Sequence, residues 1–184
     1  MTKYQCESDA TFPVISSHSS ISSERRSLFF KNVKHDKTRL ASALWHTDIT
    51  FEPVPSDYAI LKLHTNPKTG GDTLWASAYE AYSRISPPIA KMLEGLEAYH
   101  EAKWFKDVTQ NFGQTVREGE RGHPLNKGDA LEAIHPVVRV NPVTGYKGLF
   151  VNREFTKSIV GVTKDESDFL LEYLFVCLSQ PMLP

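Results

Sequence analysis

The sequence has little of what marks the specialised classes of protein. Its only cysteines are Cys6 and Cys177, which form neither a disulfide framework nor a metal-type spacing. Lys plus Arg number 21 against 22 Asp plus Glu, and no basic block favours nucleic acid. The longest apolar stretch, residues 169–178, contains Glu172 and is shorter than the roughly 18 residues of a membrane-spanning helix. Because the N-terminus also lacks the apolar core of a secretory signal, we expect a cytoplasmic protein with no membrane and no nucleic-acid partner.

The composition present is that of one ordinary domain, with 40% hydrophobic and 23% charged residues. Residues 16–23 are nearly all serine and offer too little apolar surface to offset the entropy of ordering the backbone. We therefore expect a flexible leader and partial N-terminal segment over residues 1–40 and the folded domain over residues 41–184. An organelle transit peptide is the alternative for the leader, but its acidic residues count against that interpretation.

Local patterns predict a mixture of strands and helices, hence an α+β class. Ala59, Leu61 and Leu63 alternate with Ile60, Lys62 and His64 on the two faces of one predicted strand. Two further strands, Val137–Val140 and Gly148–Val151, flank an Asn-Pro-Val-Thr-Gly turn and predict a hairpin. Residues 103–130 are polar and glycine-containing, which predicts a long surface loop with at most a short helix near Trp104.

Three helices are predicted from capping signals. Ser77 and Glu80 fit a capping box, as do Thr163 and Glu166. Ser86, followed by two prolines, should end one helix and begin another. The second and third helices carry apolar stripes, which comprise Ile89, Met92, Leu93 and Leu96 in one and Leu170, Leu171, Leu174, Phe175 and Leu178 in the other.

The most informative segment for chemistry is Trp45-His46-Thr47-Asp48-Ile49-Thr50-Phe51. If it is a strand, His46 and Asp48 project from the same face and can bind one metal. Such a pair supplies two corners of the two-His-one-carboxylate face that holds Fe(II).

Two other interpretations of the pair stay open. A His-x-Asp triplet is common by chance and is usually an exposed polar pair, although its apolar neighbours here would make unpartnered polar groups costly. A zinc hydrolase would need a third ligand and a general base, for which no residue has a fitting spacing. About 25 residues downstream of the pair, Thr73 follows Gly70-Gly71-Asp72 and can present a hydroxyl to an anion, or can simply be a β-forming residue in a hairpin.

Three segments, WHTDITFEPVPSDYAILKLH, GGDTLWASAYEAYSRIS and HPVVRVNPVTGYKGLFVNREFTKSIVGVTKDES, resemble the taurine dioxygenase family of Fe(II)- and 2-oxoglutarate-dependent oxygenases. The resemblance covers roughly residues 40–178 and is greatest to the sulfonate-oxidising branch. It implies a double-stranded β-helix, or jelly-roll, which here would be mainly β with flanking helices and incomplete.

The resemblance also implies roles for individual residues. His46 and Asp48 would be iron ligands and Thr73 would hydrogen-bond 2-oxoglutarate, while Thr47 would point away. The implied substrates are a small anionic compound, such as a sulfonate, and molecular oxygen. Hydroxylation beside a sulfonate would release sulfite and an aldehyde.

The sequence departs from the family pattern in its last third. The family has a third ligand, a histidine, and then an arginine for the distal carboxylate of 2-oxoglutarate. Here the last histidine is His135 and the last arginine is Arg153. We therefore expect residues 41–184 to be a C-terminally truncated catalytic domain that can self-associate through unpaired strands. The alternative is an inactive remnant that at most associates with a full-length homologue.

Overall fold

The computed structural model describes residues 45–62, 68–69, 75–111, 113 and 115–179. In chain order its elements are α1 (Ala78–Ser83), α2 (Pro87–Leu93), β1 (Glu97–Glu101), α3 (Trp104–Asn111), β2 (Glu132–Pro136), β3 (Val138–Val140), β4 (Lys147–Leu149), β5 (Thr156–Ile159) and α4 (Lys164–Ser179). Among the described residues no helix is both long and apolar enough to cross a bilayer.

The strands form two small antiparallel sheets. One has the order β2-β1-β5, and the other is the β3-β4 hairpin, so the predicted hairpin is confirmed. The pairing of β1 with β5 shifts register between Tyr99 and His100. Ala98 and His100 are the fully buried residues of β1, because alternate side chains of a strand share a face.

The predicted capping box at α4 is confirmed in both of its hydrogen bonds, and that at α1 in its N-cap hydrogen bond. The Ser77 hydroxyl accepts a hydrogen bond from the Glu80 N–H at 3.2 Å and begins α1. At α4 the Glu166 carboxylate accepts from the Thr163 N–H at 2.8 Å, and the Thr163 hydroxyl accepts from the Glu166 N–H at 3.4 Å. Ser86 does begin α2, but its side chain makes no capping hydrogen bond. Proline has no backbone N–H, so Pro87 at the first helical position leaves one fewer N–H to be capped.

The main apolar core lies between α1, α2, α4 and the two sheets. Leu171 and Leu174 of α4 are buried in it, as are Leu93, Ala98, Val137 and Ile159 from the other elements. The predicted stripe of α4 is thus confirmed. That of α2 is wrong in part, because Ala90 and Leu93 are the buried residues whereas Ile89 and Met92 are exposed.

The strand predictions before α1 are wrong where they can be compared. Residues 45–47 have no regular structure and residues 48–51 form a turn. Residues 58–62 are also irregular, although Ala59 and Leu61 alternate as in a strand, and Leu63 lies outside the described residues. A short alternating run predicts a strand only when another strand is available to pair with it.

Candidate metal centre

His46 and Asp48 are brought together on an exposed turn. His46 Nε2 lies 3.2 Å from Asp48 Oδ1, and the side chains are 43% and 59% exposed. The predicted proximity is therefore present, but it arises from a turn and not from one face of a strand.

The turn has an unusual backbone at its second residue. Ile49 has φ of 51°, in the left-handed region that β-branched residues rarely adopt. The turn closes through a hydrogen bond from the Glu52 N–H to the Ile49 carbonyl at 2.9 Å. This conformation reverses the direction of the chain directly after Asp48.

The geometry and charge of the pair fit a divalent cation. The hydrogen bond from His46 is the largest cause that lowers the pKa of the Asp48 carboxyl, partial burial opposes it, and the charge of His46 lowers it further. Asp48 is therefore an anionic oxygen donor at neutral pH. Two ligands placed about 2.1 Å from a cation and at right angles are about 3.0 Å apart, close to the 3.2 Å between these donor atoms.

Aromatic rings pack beneath the pair. The Phe155 ring meets the His46 imidazole edge to face, with centroids 6.1 Å apart. Phe51 contacts Phe155 at 5.0 Å and Phe105 at 5.6 Å. Ile49, Phe51, Ala102, Leu131 and Phe155 form this second, smaller apolar cluster. The partly exposed side chains of His46 and Asp48 thus lie over a cluster of apolar side chains.

A set of buried polar side chains lies next to that cluster, and we call it the polar layer; its members are Thr50, Glu52, His100, Arg121, His135, Asn152 and Thr156. His100 Nδ1 lies 3.0 Å from Thr50 Oγ1 and 3.2 Å from Thr156 Oγ1. Asn152 donates to Thr50 Oγ1 at 3.2 Å and accepts from the Phe155 N–H at 2.8 Å. Asn152 therefore links the turn to the ring beneath His46.

Glu52 is bonded through both its carboxylate and its backbone. Its carboxylate accepts two hydrogen bonds from the guanidinium of Arg121, with Nη2 at 3.0 Å from Oε2. Its backbone carbonyl accepts from His135 Nε2 at 2.9 Å. Because a carbonyl only accepts, His135 Nε2 bears the proton. The two side chains of the ion pair are 1% and 3% exposed.

Sequence reasoning missed this layer. Arg121 and Asn126 belong to the predicted surface loop, yet both are buried, and α3 does extend over the short helical region expected near Trp104. Asn126 pairs with both backbone groups of Val54, at 2.9 and 2.7 Å. The one local signal for the polar layer is Glu52, a charged residue next to the apolar Phe51. Its partner Arg121 cannot be identified from this signal, because it lies 69 residues away.

The remaining predicted site residue, Thr73, lies outside the described residues, as does His64. Among the residues that the structure does describe, no group of three or more His, Cys, Asp or Glu is placed to share a metal. His100 and His135 are held in the polar layer, and His123 Nδ1 accepts from Leu125 N–H within its own loop at 3.2 Å. These three histidines are engaged elsewhere.

With the site described, comparison with known proteins defines its class. Residues 12–183 match the family described as taurine catabolism dioxygenase TauD, TfdA family. The chain belongs to this family.

Two fungal relatives are named as enzymes dependent on alpha-ketoglutarate, which is 2-oxoglutarate. An alpha-ketoglutarate-dependent sulfonate dioxygenase of Saccharomyces cerevisiae is 36% identical to this chain over 146 residues.

 The aligned part is 79% of this chain and 32% of that protein. The alpha-ketoglutarate-dependent dioxygenase btcD of Neocamarosporium betae is 42% identical over 137 residues, covering 71% of this chain and 39% of the relative. The chain thus spans well under half the length of these relatives.

A solved structure gives the same relationship for the fold. A taurine dioxygenase from Burkholderia xenovorans superimposes with a TM-score of 0.56 at 30% sequence identity, covering 79% of this chain and 44% of that one. The predicted jelly-roll relationship is confirmed. The described residues form two small antiparallel sheets with flanking helices, and they do not close a barrel.

Proposed function

We propose that this chain carries part of the active site of an Fe(II)- and 2-oxoglutarate-dependent dioxygenase. His46 and Asp48 would hold the metal, and Thr73 would donate a hydrogen bond to 2-oxoglutarate. The observation that carries the proposal is the 3.2 Å approach of His46 Nε2 and Asp48 Oδ1 on an exposed turn, in a chain of this family.

The chain's own residues have defined tasks in this proposal. His46 contributes a neutral nitrogen donor and Asp48 an anionic oxygen donor, which together leave most positions around a metal open. When bound, Fe(II) and 2-oxoglutarate supply the oxidising chemistry that converts 2-oxoglutarate to succinate and carbon dioxide while oxygen hydroxylates a substrate. The aromatic cluster beneath His46 keeps water from that side of the pair.

The substrate proposed is a small anionic organic compound such as a sulfonate, since one relative is named a sulfonate dioxygenase. Oxidation beside the sulfonate would release sulfite. A cytoplasmic location, self-association and a domain boundary near residue 41 belong to the same proposal.

A second candidate is a protein that does not catalyse the reaction and associates with a longer homologue. It is favoured by the absence of a third metal-binding side chain among the described residues. The two candidates agree on the fold and differ on whether His46 and Asp48 bind metal.

Metal binding tests the proposal directly. Mn(II) can be titrated into the 184-residue protein while NMR follows paramagnetic broadening of the amide signals of residues 46–48, which detects weak binding. We expect weak, local broadening in the wild type because only two protein ligands are offered. His46→Ala and Asp48→Ala should each remove it. Thr47→Ala is the matched control and should bind as the wild type does; equal broadening in all four proteins would contradict the proposal.

Catalysis can be tested by joining the corresponding C-terminal part of the Saccharomyces cerevisiae relative after Val176. We expect this chimera to form succinate from 2-oxoglutarate, and we expect His46→Ala within it to stop succinate formation. Thr73→Val should raise the KM for 2-oxoglutarate more than it lowers kcat. A folded chimera that binds no metal at residues 46–48 and forms no succinate would favour the second candidate.

A further inference from the structure

The buried ion pair between Glu52 and Arg121 has no part in the proposed chemistry. Glu52, however, follows Asp48 by only four residues in the sequence. We propose that this pair positions the metal-binding turn, by fixing residues 48–52 to the loop of residues 115–130. Glu52 and Arg121 are then positioning residues. The inference rests on the proposed function of His46 and Asp48.

The turn needs support from outside itself. No regular secondary structure holds residues 45–51, and Ile49 has a left-handed φ of 51°. A β-branched residue keeps such a conformation only where its surroundings over-determine it. The position of Asp48 therefore depends on what anchors the residues after it.

Glu52 provides that anchor through all of its polar groups. Its N–H closes the turn on the Ile49 carbonyl at 2.9 Å, and its own carbonyl accepts from His135 at 2.9 Å. Its carboxylate is held by Arg121 in a two-point contact, which fixes orientation as well as distance. Glu52 cannot rotate or shift without breaking several buried hydrogen bonds.

Arg121 extends the anchor into the loop. Its Nη1 donates to the carbonyls of Arg117 and Gly128, each at 2.7 Å. The loop is closed further by Gly128 N–H donating to the Glu118 carbonyl at 2.7 Å. Four of the five N–H groups of the guanidinium thus donate hydrogen bonds within the protein. Arg121 therefore holds the loop in place and has at most one N–H left for a substrate anion.

Substitutions at a buried ion pair can distinguish a positioning role from a contribution to stability. Removal of one partner leaves an uncompensated buried charge, whereas replacement of both by apolar residues of similar volume often preserves stability. The apolar pair keeps the space filled but loses the fixed two-point geometry. A positioning role therefore predicts that Glu52→Met/Arg121→Met retains the fold and still binds metal more weakly.

The experiment measures Mn(II) affinity in the 184-residue protein from the broadening of the residue 46–48 amide signals, with far-UV circular dichroism and urea unfolding on the same samples. We expect affinity on the order of tenfold weaker in Glu52→Met/Arg121→Met, the scale seen for groups that orient metal ligands. Arg121→Lys keeps the charge but not the two-point contact, and its affinity should fall between the double variant and the wild type.

Ser167→Ala is the matched control. Ser167 is 2% exposed, and its hydroxyl accepts from the Ile159 N–H at 2.8 Å, away from the turn. This variant should lose stability and keep the wild-type Mn(II) affinity.

Each result decides between positioning and its alternatives. Wild-type affinity in the double variant, or an equal loss in Ser167→Ala, would overturn the positioning role while the proposed metal pair stands, provided that His46→Ala loses binding. If His46→Ala binds as tightly as the wild type, the proposed function fails and this inference fails with it. If the double variant does not fold, the intermediate affinity expected of Arg121→Lys decides the question.

Discussion

The apolar core and the polar layer hold the same short chain together by different means. The core joins α1, α2 and α4 to the sheets through side chains that need only fill space, such as Leu93 and Leu174. The polar layer joins the metal-binding turn to distant segments through directed hydrogen bonds, as in Glu52 with Arg121. Burial is comparable in the two regions, but only the second fixes orientation. The comparison indicates that the fold and the site can be damaged separately.

The largest expected effect is on the apolar core. Leu174 is fully buried, and Leu174→Ala should lower the free energy of unfolding by about 3 kcal/mol through lost burial and a cavity. Urea unfolding followed by circular dichroism measures this change.

Phe169→Ala on the same helix is the control, because Phe169 is 75% exposed and should cost less than about 0.5 kcal/mol. Where Leu174→Ala remains folded, its Mn(II) affinity should equal that of the wild type. A parallel loss of metal binding would show that the two regions are not separable.

The polar layer should respond to pH where the apolar core does not. Burial, and then the charge of His135, lowers the pKa of His100 to about 4 from an ordinary 6.5. The folded state therefore resists a proton that the unfolded state accepts. As the pH falls from 6.5 toward 4, the free energy of unfolding should fall by up to about 1.4 kcal/mol per pH unit from this residue.

Burial also lowers the pKa of His135, so its contribution has the same sign. Urea unfolding at several pH values between 7 and 5 measures the slope. His100→Gln should make the slope shallower, and Thr144→Ala, which removes no titratable group from its exposed position, should leave it as in the wild type. Identical slopes in all three proteins would mean that His100 does not remain neutral in the folded state.

The sequence predicted the local parts of this molecule well. Capping boxes, the β3-β4 hairpin and the stripe of α4 depend on residues within a few positions of one another, where period and turn chemistry are decisive. The pairing of His46 with Asp48 was found for the same reason, since any tight local geometry can bring residues two apart together.

What could not be predicted depends on contacts between distant segments. Ile49 and Thr50 favour strand by propensity, yet Ile49 lies in a left-handed turn, and Thr50 and Glu52 beside it are bonded to distant segments. Their partners lie 50, 69 and 102 residues away, in His100, Arg121 and Asn152. No periodicity in the sequence marks such pairs, so the local pattern predicts a strand at this segment and does not reveal the polar layer.

The smallest expected effect concerns the start of α4, the helix that packs on the apolar core and not on the polar layer. Thr163→Ala removes the hydroxyl that accepts from the Glu166 N–H at 3.4 Å and donates to the Glu166 carboxylate at 2.8 Å. Loss of such a cap costs about 1 kcal/mol, and the long contact from the Glu166 N–H indicates a cost in the lower part of that range.

The measurement is again urea unfolding, with Thr144→Ala in the exposed β3-β4 turn as the control for loss of a threonine hydroxyl. Because α4 packs on the apolar core and the cap lies at its surface end, Mn(II) broadening at residues 46–48 should not change. A weakened metal response in Thr163→Ala, at unchanged fold, would show that the end of α4 is coupled to the turn and that the separation of the two regions is incomplete.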